Sequence, residues 1–319
     1  MPVKKALCLF IILSLLSALC GCGAEPAQRG TGPLRIVTTV FPACDFAHEL
    51  AGERASVRLI VPPGAELHSF EPTPRDLLLI RDCDLFICNG GESEAWVEEL
   101  LEGGEAPRET LVMLDCVDAL EEEQKEGMQA VHEEEEEEGE EEGPEYDEHV
   151  WTSPVNAQRI CRAIAERLAL IDPDGAADYA ARCEAYCGEL DERDAAFRAL
   201  VDGAARRTVV FADRFPARYF VEEYGLEYFA AFPGCAEDTE PAAGTVAFLI
   251  DRVREEKLPA VFYIELSNQK MADVICEDTG CRKLLFHSCH RVTPEQFREG
   301  VSCAELMRGN LDSLRDALN

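Results

Sequence analysis

Two stretches of the sequence alternate short apolar runs with helical periodicity, and this alternation constrains the fold more than any other feature of the chain. Apolar runs separated by helices predict a parallel sheet, because the crossover helices cover its faces. The predicted strands lie at 34–41, 56–61, 85–88 and 110–114 in the first stretch, and at 208–212, 227–232, 260–265 and 283–286 in the second. We therefore expect an α/β fold with two Rossmann-like lobes, each built on a parallel sheet.

Two helices are predicted between these stretches. Ser153 and Pro154 form a helix start, with Ser as the N-cap and Pro at the first helical position. The second helix has no strand partner, which favours a rigid connector. We divide the chain into a first lobe at 34–172, a connecting helix at 173–203 and a second lobe at 204–319. Two such lobes favour a ligand site in the cleft between them.

A dense run of glutamates interrupts the first lobe at 121–148. Like charges at this density repel each other and bury nothing, so we predict a disordered insertion. The whole chain carries a formal net charge of −33. This charge disfavours nucleic acid and anionic lipid as partners and suits a protein that attracts cations.

The N-terminus has the composition of an export signal. Lys4 and Lys5 precede an apolar run at 6–19 that is too short to span a membrane as a helix. The run ends in LCGC, which resembles a bacterial lipobox with Cys22 as the lipidated residue. We predict a signal peptide at 1–21, a tether at 22–33 and a mature chain that acyl chains anchor to the outer side of the membrane. The alternative is a plain secretory signal that is cut near Ala24.

Cysteines are numerous, with 15 in the chain. Disulfides are expected in an exported protein. The spacings assign no connectivity: Cys183 and Cys187 are one helical turn apart, and Cys276 and Cys281 flank the segment EDTG. Mostly free thiols in an oxygen-poor habitat fit the sequence equally well.

Three histidines stand where a predicted strand runs into a loop. They are His68, His149 and His287, and they come from distant parts of the chain. Neutral imidazole is the commonest protein ligand for transition metals. The pattern therefore indicates a metal site that the fold assembles from separate segments.

Several blocks of sequence carry a family resemblance. They are VPPGAELHSFEPTPRDLLLIRDCDLFICNG, DEHVWTSPVNA, AEDTEPA, FYIE and LMRGNLDSLRDAL. Together they resemble the ZnuA/TroA-like (cluster A-I) lipoproteins, which bind zinc or manganese and deliver it to ABC importers. The resemblance covers nearly the whole mature chain. It implies a monomeric substrate-binding protein with no enzymatic activity, whose partner is an ABC permease in the membrane.

The resemblance also implies ligands, residue by residue. His68 and His149 fall on the two metal ligands of the first lobe. In the second lobe, Ala212 stands where zinc proteins of the family have a histidine, and His287 falls where the family has an acid. We expect a rearranged site of His68, His149 and His287 with Asp213 as the fourth ligand. Glu265 and His290 are the alternatives.

Imidazole-rich sites of this kind suit tetrahedral Zn²⁺, whereas Mn²⁺ and Fe²⁺ usually take more oxygen ligands. Two other classes of function remain open at this point. A zinc hydrolase is disfavoured because the chain contains neither HExxH nor GxSxG. A surface adhesin would use the lipid anchor for display.

Overall fold

The structure is a computed structural model that describes residues 32–67, 70–103, 107–129, 145–236 and 241–319. The predicted lipidation site Cys22, the predicted ligand His68 and residues 130–144 of the acidic segment lie outside this part of the chain. Residues 34–319 form one compact unit.

The first run of predicted strands forms a four-stranded parallel sheet in the order β2-β1-β3-β4. All four residues of the central strand β3 are buried, as expected for a strand that is covered on both faces. Three helices alternate with the strands. The elements are β1 (Leu34–Thr38), α1 (Phe41–Ala51), β2 (Ala55–Leu59), α2 (Pro74–Arg81), β3 (Leu85–Cys88), α3 (Ala95–Glu102) and β4 (Thr110–Val112).

Two long helices follow, α4 (Pro154–Ile171) and α5 (Ala176–Asp202). The Oγ of Ser153 accepts a hydrogen bond from the N–H of Asn156 at 3.3 Å, so the predicted N-cap is present. No helix in the described ranges is both long and apolar enough to cross a membrane.

The second run of predicted strands forms another four-stranded parallel sheet, in the order β6-β5-β7-β8. This order repeats that of the first sheet. In each sheet, the second strand along the chain is added on one side of the first strand, and the third strand is added on the other side. In α/β sheets, ligands bind at the carboxyl ends of the two strands between which this reversal occurs. The elements are β5 (Thr208–Arg214), α6 (Arg218–Tyr224), β6 (Glu227–Phe232), α7 (Ala243–Glu256), β7 (Ala260–Ile264), α8 (Lys270–Thr279), β8 (Arg282–Phe286), α9 (Pro294–Glu299) and α10 (Cys303–Leu318). The predicted fold class is confirmed.

A buried carboxylate connects the connecting helix to both lobes. Asp45 in α1 accepts hydrogen bonds from the hydroxyl of Tyr186 in α5 at 2.7 Å and from the backbone N–H of Cys303 in α10 at 2.8 Å. Burial raises the pKa of Asp45 to about 6, although both hydrogen bonds act in the opposite direction. The contact therefore holds three helices from distant parts of the sequence in one arrangement.

The ends of the acidic insertion are paired with each other. Glu121 and Tyr146 form an antiparallel β-bridge, and the N–H of Asp147 donates to the carbonyl of Leu120 at 2.9 Å. Residues 121–129 and 145–148, which belong to the segment for which disorder is predicted, thus include paired backbone. Backbone pairing fixes these ends despite their charge, and it places the start and the end of the insertion side by side, directly before His149.

Candidate metal centre

His149 is buried at the point where the chain leaves the insertion. It precedes a short 3₁₀ helix, Val150–Thr152. Its backbone N–H donates to Oδ1 of Asp147 at 2.8 Å, and its ring Nδ1 lies 3.2 Å from the same oxygen. A carboxylate on Nδ1 orients the imidazole and makes Nε2 the nitrogen that would bind a metal.

The charges around His149 favour a cation at this place. Burial opposes protonation of the imidazole, but the carboxylates of Asp147, Glu148 and Glu122 outweigh it and raise the pKa of His149. Burial raises the pKa of Glu122 and Glu148 as well. Acidic groups that stabilise an imidazolium will also stabilise a divalent metal ion at the same ring.

His290 faces His149 from the second lobe. The two ring centroids are 5.2 Å apart, and the ring of Trp151 lies 5.7 Å from His149 and 5.6 Å from His290. Two nitrogens on one Zn²⁺ lie within about 4 Å of each other, because a Zn–N bond is about 2.0–2.1 Å. The two rings are therefore candidates for one ion, with one ring from each lobe. Trp151 is fully buried and shields this pair from solvent.

The loop that carries His290 is fixed by Glu265, at the carboxyl end of β7. Glu265 accepts hydrogen bonds from the N–H and the hydroxyl of Ser288, at 2.8 and 2.6 Å, and from the N–H of Arg291 at 3.2 Å. Between Ser288 and Arg291, Cys289 has a φ of 61°, which lies in the left-handed region that is sterically disfavoured for a residue with a Cβ atom. Because of this turn, the rings of His287 and His290 have different neighbours: His287 lies near Glu265, and His290 lies near His149. Glu265 therefore holds the loop that carries both histidines.

His287 lies on the other side of this turn. Its backbone N–H and carbonyl both bond to the side chain of Asn310, at 2.8 and 2.9 Å, and its Nδ1 accepts the N–H of Cys289 at 3.1 Å. The carboxylate of Glu265, 3.7 Å away, raises the pKa of His287 against the opposing effect of burial. The ring lines a small cavity with Thr152, Phe197, Phe220, Phe286 and Met307.

Asp213, the predicted fourth ligand, is bound within its own lobe. Its Oδ1 accepts the N–H of Arg214 at 2.9 Å, and its Oδ2 lies 3.5 Å from the N–H of Ile264. Among the residues that the structure describes, no three His, Cys, Asp or Glu side chains form a group that could hold a metal ion. The ring that the structure places beside that of His149 is the ring of His290, one of the predicted alternatives.

A charge cluster that no sequence motif indicates joins the two lobes next to His290. Oε2 of Glu66, in the first lobe, accepts from Arg214 at 3.2 Å and from Arg291 at 2.8 Å, both in the second lobe. The three side chains line a cavity of about 470 Å³ at the carboxyl ends of β5 and β7. No local sequence pattern signals this contact, since its members are separated by more than 70 residues.

The residues that flank His68 also lie beside His290. Leu67 is buried and lines the same small cavity as His290 and Ala65. The carbonyl of Leu67 accepts the N–H of Phe70 at 2.8 Å. Ala65 and Leu67, which precede His68 in the sequence, therefore lie near the second-lobe histidine.

Replacing Asp147 with asparagine is expected to weaken zinc binding by about 10- to 100-fold, the usual cost of losing a group that orients a metal-bound histidine. Asparagine still accepts the N–H of His149 but removes the negative charge from Nδ1. Competition with a chromophoric chelator measures the affinity. Asp118→Asn is the matched control, since Asp118 pairs with Arg159 on the surface. Equal affinity of Asp147→Asn and the wild type would show that Asp147 does not orient His149.

Comparison with known proteins finds similarity over nearly the whole chain. A family model described as the periplasmic component A of a zinc-uptake complex, ZnuA, matches residues 36–317. The chain is 29% identical to the high-affinity zinc uptake system protein ZnuA of Bacillus subtilis, over 99% of this chain and 98% of that protein. It is 31% identical to the manganese-binding lipoprotein MntA of Halalkalibacterium halodurans, over 87% of each. The crystal structure of the Zn(II)-bound ZnuA-like domain of Streptococcus pneumoniae AdcA aligns with a TM-score of 0.73 at 26% identity, covering 90% of this chain and 99% of that domain.

Proposed function

Because this chain belongs to the ZnuA family of periplasmic zinc-uptake components, we propose that it captures Zn²⁺ outside the cell membrane and delivers it to the permease of an ABC importer. The family consists of solute-binding transport proteins for zinc or manganese. The observation that carries the proposal is the pair His149 and His290, one from each lobe, at 5.2 Å between ring centroids. A ligand held by both lobes suits a receptor that must bind and later release its cargo.

We assign His68, His149 and His290 as the metal ligands. The contacts of the described neighbours Ala65 and Leu67 support the inclusion of His68, since they line one cavity with His290. Three imidazoles leave a fourth position for water or a carboxylate in a tetrahedral zinc site. We leave out His287, Asp213 and Glu265, whose hydrogen bonds lie within the second lobe, in favour of His290, whose ring lies beside that of His149.

Zinc is favoured over manganese by the chemistry of these ligands. Imidazole-rich tetrahedral sites suit Zn²⁺, whereas Mn²⁺ usually takes more oxygen ligands in an octahedral arrangement. After removal of metal with a chelator, the mature protein is expected to bind a single Zn²⁺ tightly in calorimetric titration. Mn²⁺ is expected to bind more weakly and to be displaced by Zn²⁺. Tighter binding of Mn²⁺ would overturn the assignment of the cargo.

The lipid anchor is a second part of the proposal, and the sequence LCGC at 19–22 supports it. Acylation of Cys22 would keep the receptor close to the permease. Cys22→Ser is therefore expected to move the protein from the membrane fraction to the soluble fraction of the exported proteins, as measured by fractionation and immunoblotting. Retention of the variant in the membrane fraction would argue against this anchor.

A further inference from the structure

Two thiols of the second lobe stand close together away from the metal centre. Cys276 lies near the end of α8, and Cys281 directly precedes β8. Their sulfurs are 3.5 Å apart, and both cysteines are free and half-buried. Because a disulfide has an S–S distance of about 2.0 Å, a small side-chain movement would be enough to join them.

The backbone between the two cysteines forms a capped turn at the end of α8. Helix α8 ends at Gly280, whose φ of 76° is left-handed and unstrained for glycine. The N–H of Gly280 donates to the carbonyl of Cys276 at 2.9 Å, and the N–H of Cys281 donates to Oγ1 of Thr279 at 3.3 Å. This capped turn brings Cys281 back beside Cys276.

A second close pair in the chain lacks this geometry. The sulfurs of Cys183 and Cys187 are 3.8 Å apart, but both residues lie inside α5 and are buried. Residues four apart in a helix have Cβ atoms about 5–6 Å from each other, whereas a disulfide requires roughly 3.5–4.5 Å. Joining this pair would require unwinding of the helix, which makes it a control within the same molecule.

We propose that Cys276 and Cys281 form an intramolecular disulfide when the folded protein meets an oxidant of the disulfide class, such as oxidised glutathione. The thiolate of one cysteine attacks the oxidant, forms a mixed disulfide and releases one reduced thiol. The thiolate of the other cysteine then attacks the protein sulfur of the mixed disulfide and releases the second reduced thiol. Two protein thiols are oxidised, and one oxidant disulfide is reduced to two thiols.

The position of this bond predicts its effect. It would tie the end of α8 to the start of β8, which is the edge strand of its sheet. The loop that carries His290 leaves the opposite, carboxyl end of β8. We therefore expect the disulfide to protect the α8–β8 corner against proteolysis and to leave zinc affinity unchanged.

Peptide mapping tests the proposal, because trypsin places each pair in one peptide. Cleavage after Lys270 and Arg282 gives MADVICEDTGCR, and cleavage after Arg182 and Arg193 gives CEAYCGELDER. The folded, metal-free protein is incubated with either reduced or oxidised glutathione, then denatured, alkylated and digested. We expect the first peptide to lose two hydrogens and to escape alkylation only after oxidation. The second peptide is expected to be alkylated on both cysteines in each case.

Two results would overturn the proposal. One is alkylation of both cysteines in MADVICEDTGCR after oxidation, and the other is linkage of either cysteine to glutathione alone or to a different cysteine. Cys276→Ser adds a check on the mechanism, since it leaves Cys281 without its partner. This variant is expected to give at most a glutathione adduct at Cys281 and the same zinc affinity as the wild type.

Discussion

Replacing His290 with alanine is expected to lower the affinity for Zn²⁺ by more than about 100-fold, because loss of a group that only orients a ligand already costs roughly 10- to 100-fold. The ring of His290 is the second-lobe imidazole that lies 5.2 Å from His149. Its removal would leave the first lobe to hold the metal alone. Calorimetric titration of the metal-free protein measures the loss.

A variant at His287 tests whether the loss of zinc affinity is specific to His290. His287→Ala is expected to retain affinity within a few-fold of the wild type, since its ring bonds to the backbone of its own loop and faces a phenylalanine-lined cavity. His48→Ala serves as the control for loss of an exposed imidazole. Loss of tight binding in His287→Ala but not in His290→Ala would restore the ligand set that the sequence motif predicts.

The fold could be predicted because its signals are local. A buried parallel strand is a short apolar run, and a helix start such as Ser153 followed by Pro154 is visible in adjacent residues. The connection of one α/β lobe to another follows from the order of these signals along the chain. The paired ends of the acidic insertion could not be predicted in this way, since a bridge between Glu121 and Tyr146 depends on the packing of the whole lobe.

The choice between the two histidines of the last loop required the structure for a different reason. The sequence HSCH at 287–290 offers two histidines, and periodicity alone assigns neither to the cleft. The choice depends on a left-handed turn at Cys289 and on hydrogen bonds from Ser288 and Arg291 to Glu265, more than 20 residues away. By contrast, the spacing of Asp147 and His149 was a usable local signal for an oriented imidazole.

Replacing Trp151 with alanine is expected to lower the free energy of unfolding by about 3–5 kcal/mol, the usual cost of removing a large buried aromatic side chain. Trp151 is fully buried, and its Nε1–H donates to the carbonyl of Ser288 at 2.8 Å. The side chain thus joins the first lobe to the loop that carries His290. Chemical denaturation followed by circular dichroism measures the change without relying on tryptophan fluorescence.

Two further variants separate the packing of Trp151 from its hydrogen bond. Trp151→Phe keeps most of the ring but leaves the buried carbonyl of Ser288 without this donor, so it is expected to cost about 1–3 kcal/mol. Trp96→Phe is the matched control, because Trp96 is half-buried and its Nε1 has no hydrogen-bond partner within the described ranges. If Trp151→Ala unfolded at the same denaturant concentration as Trp96→Phe, Trp151 would not be joining the lobes. If stability falls as expected, the side chain that lies against both histidine rings also joins the first lobe to the loop that carries His290.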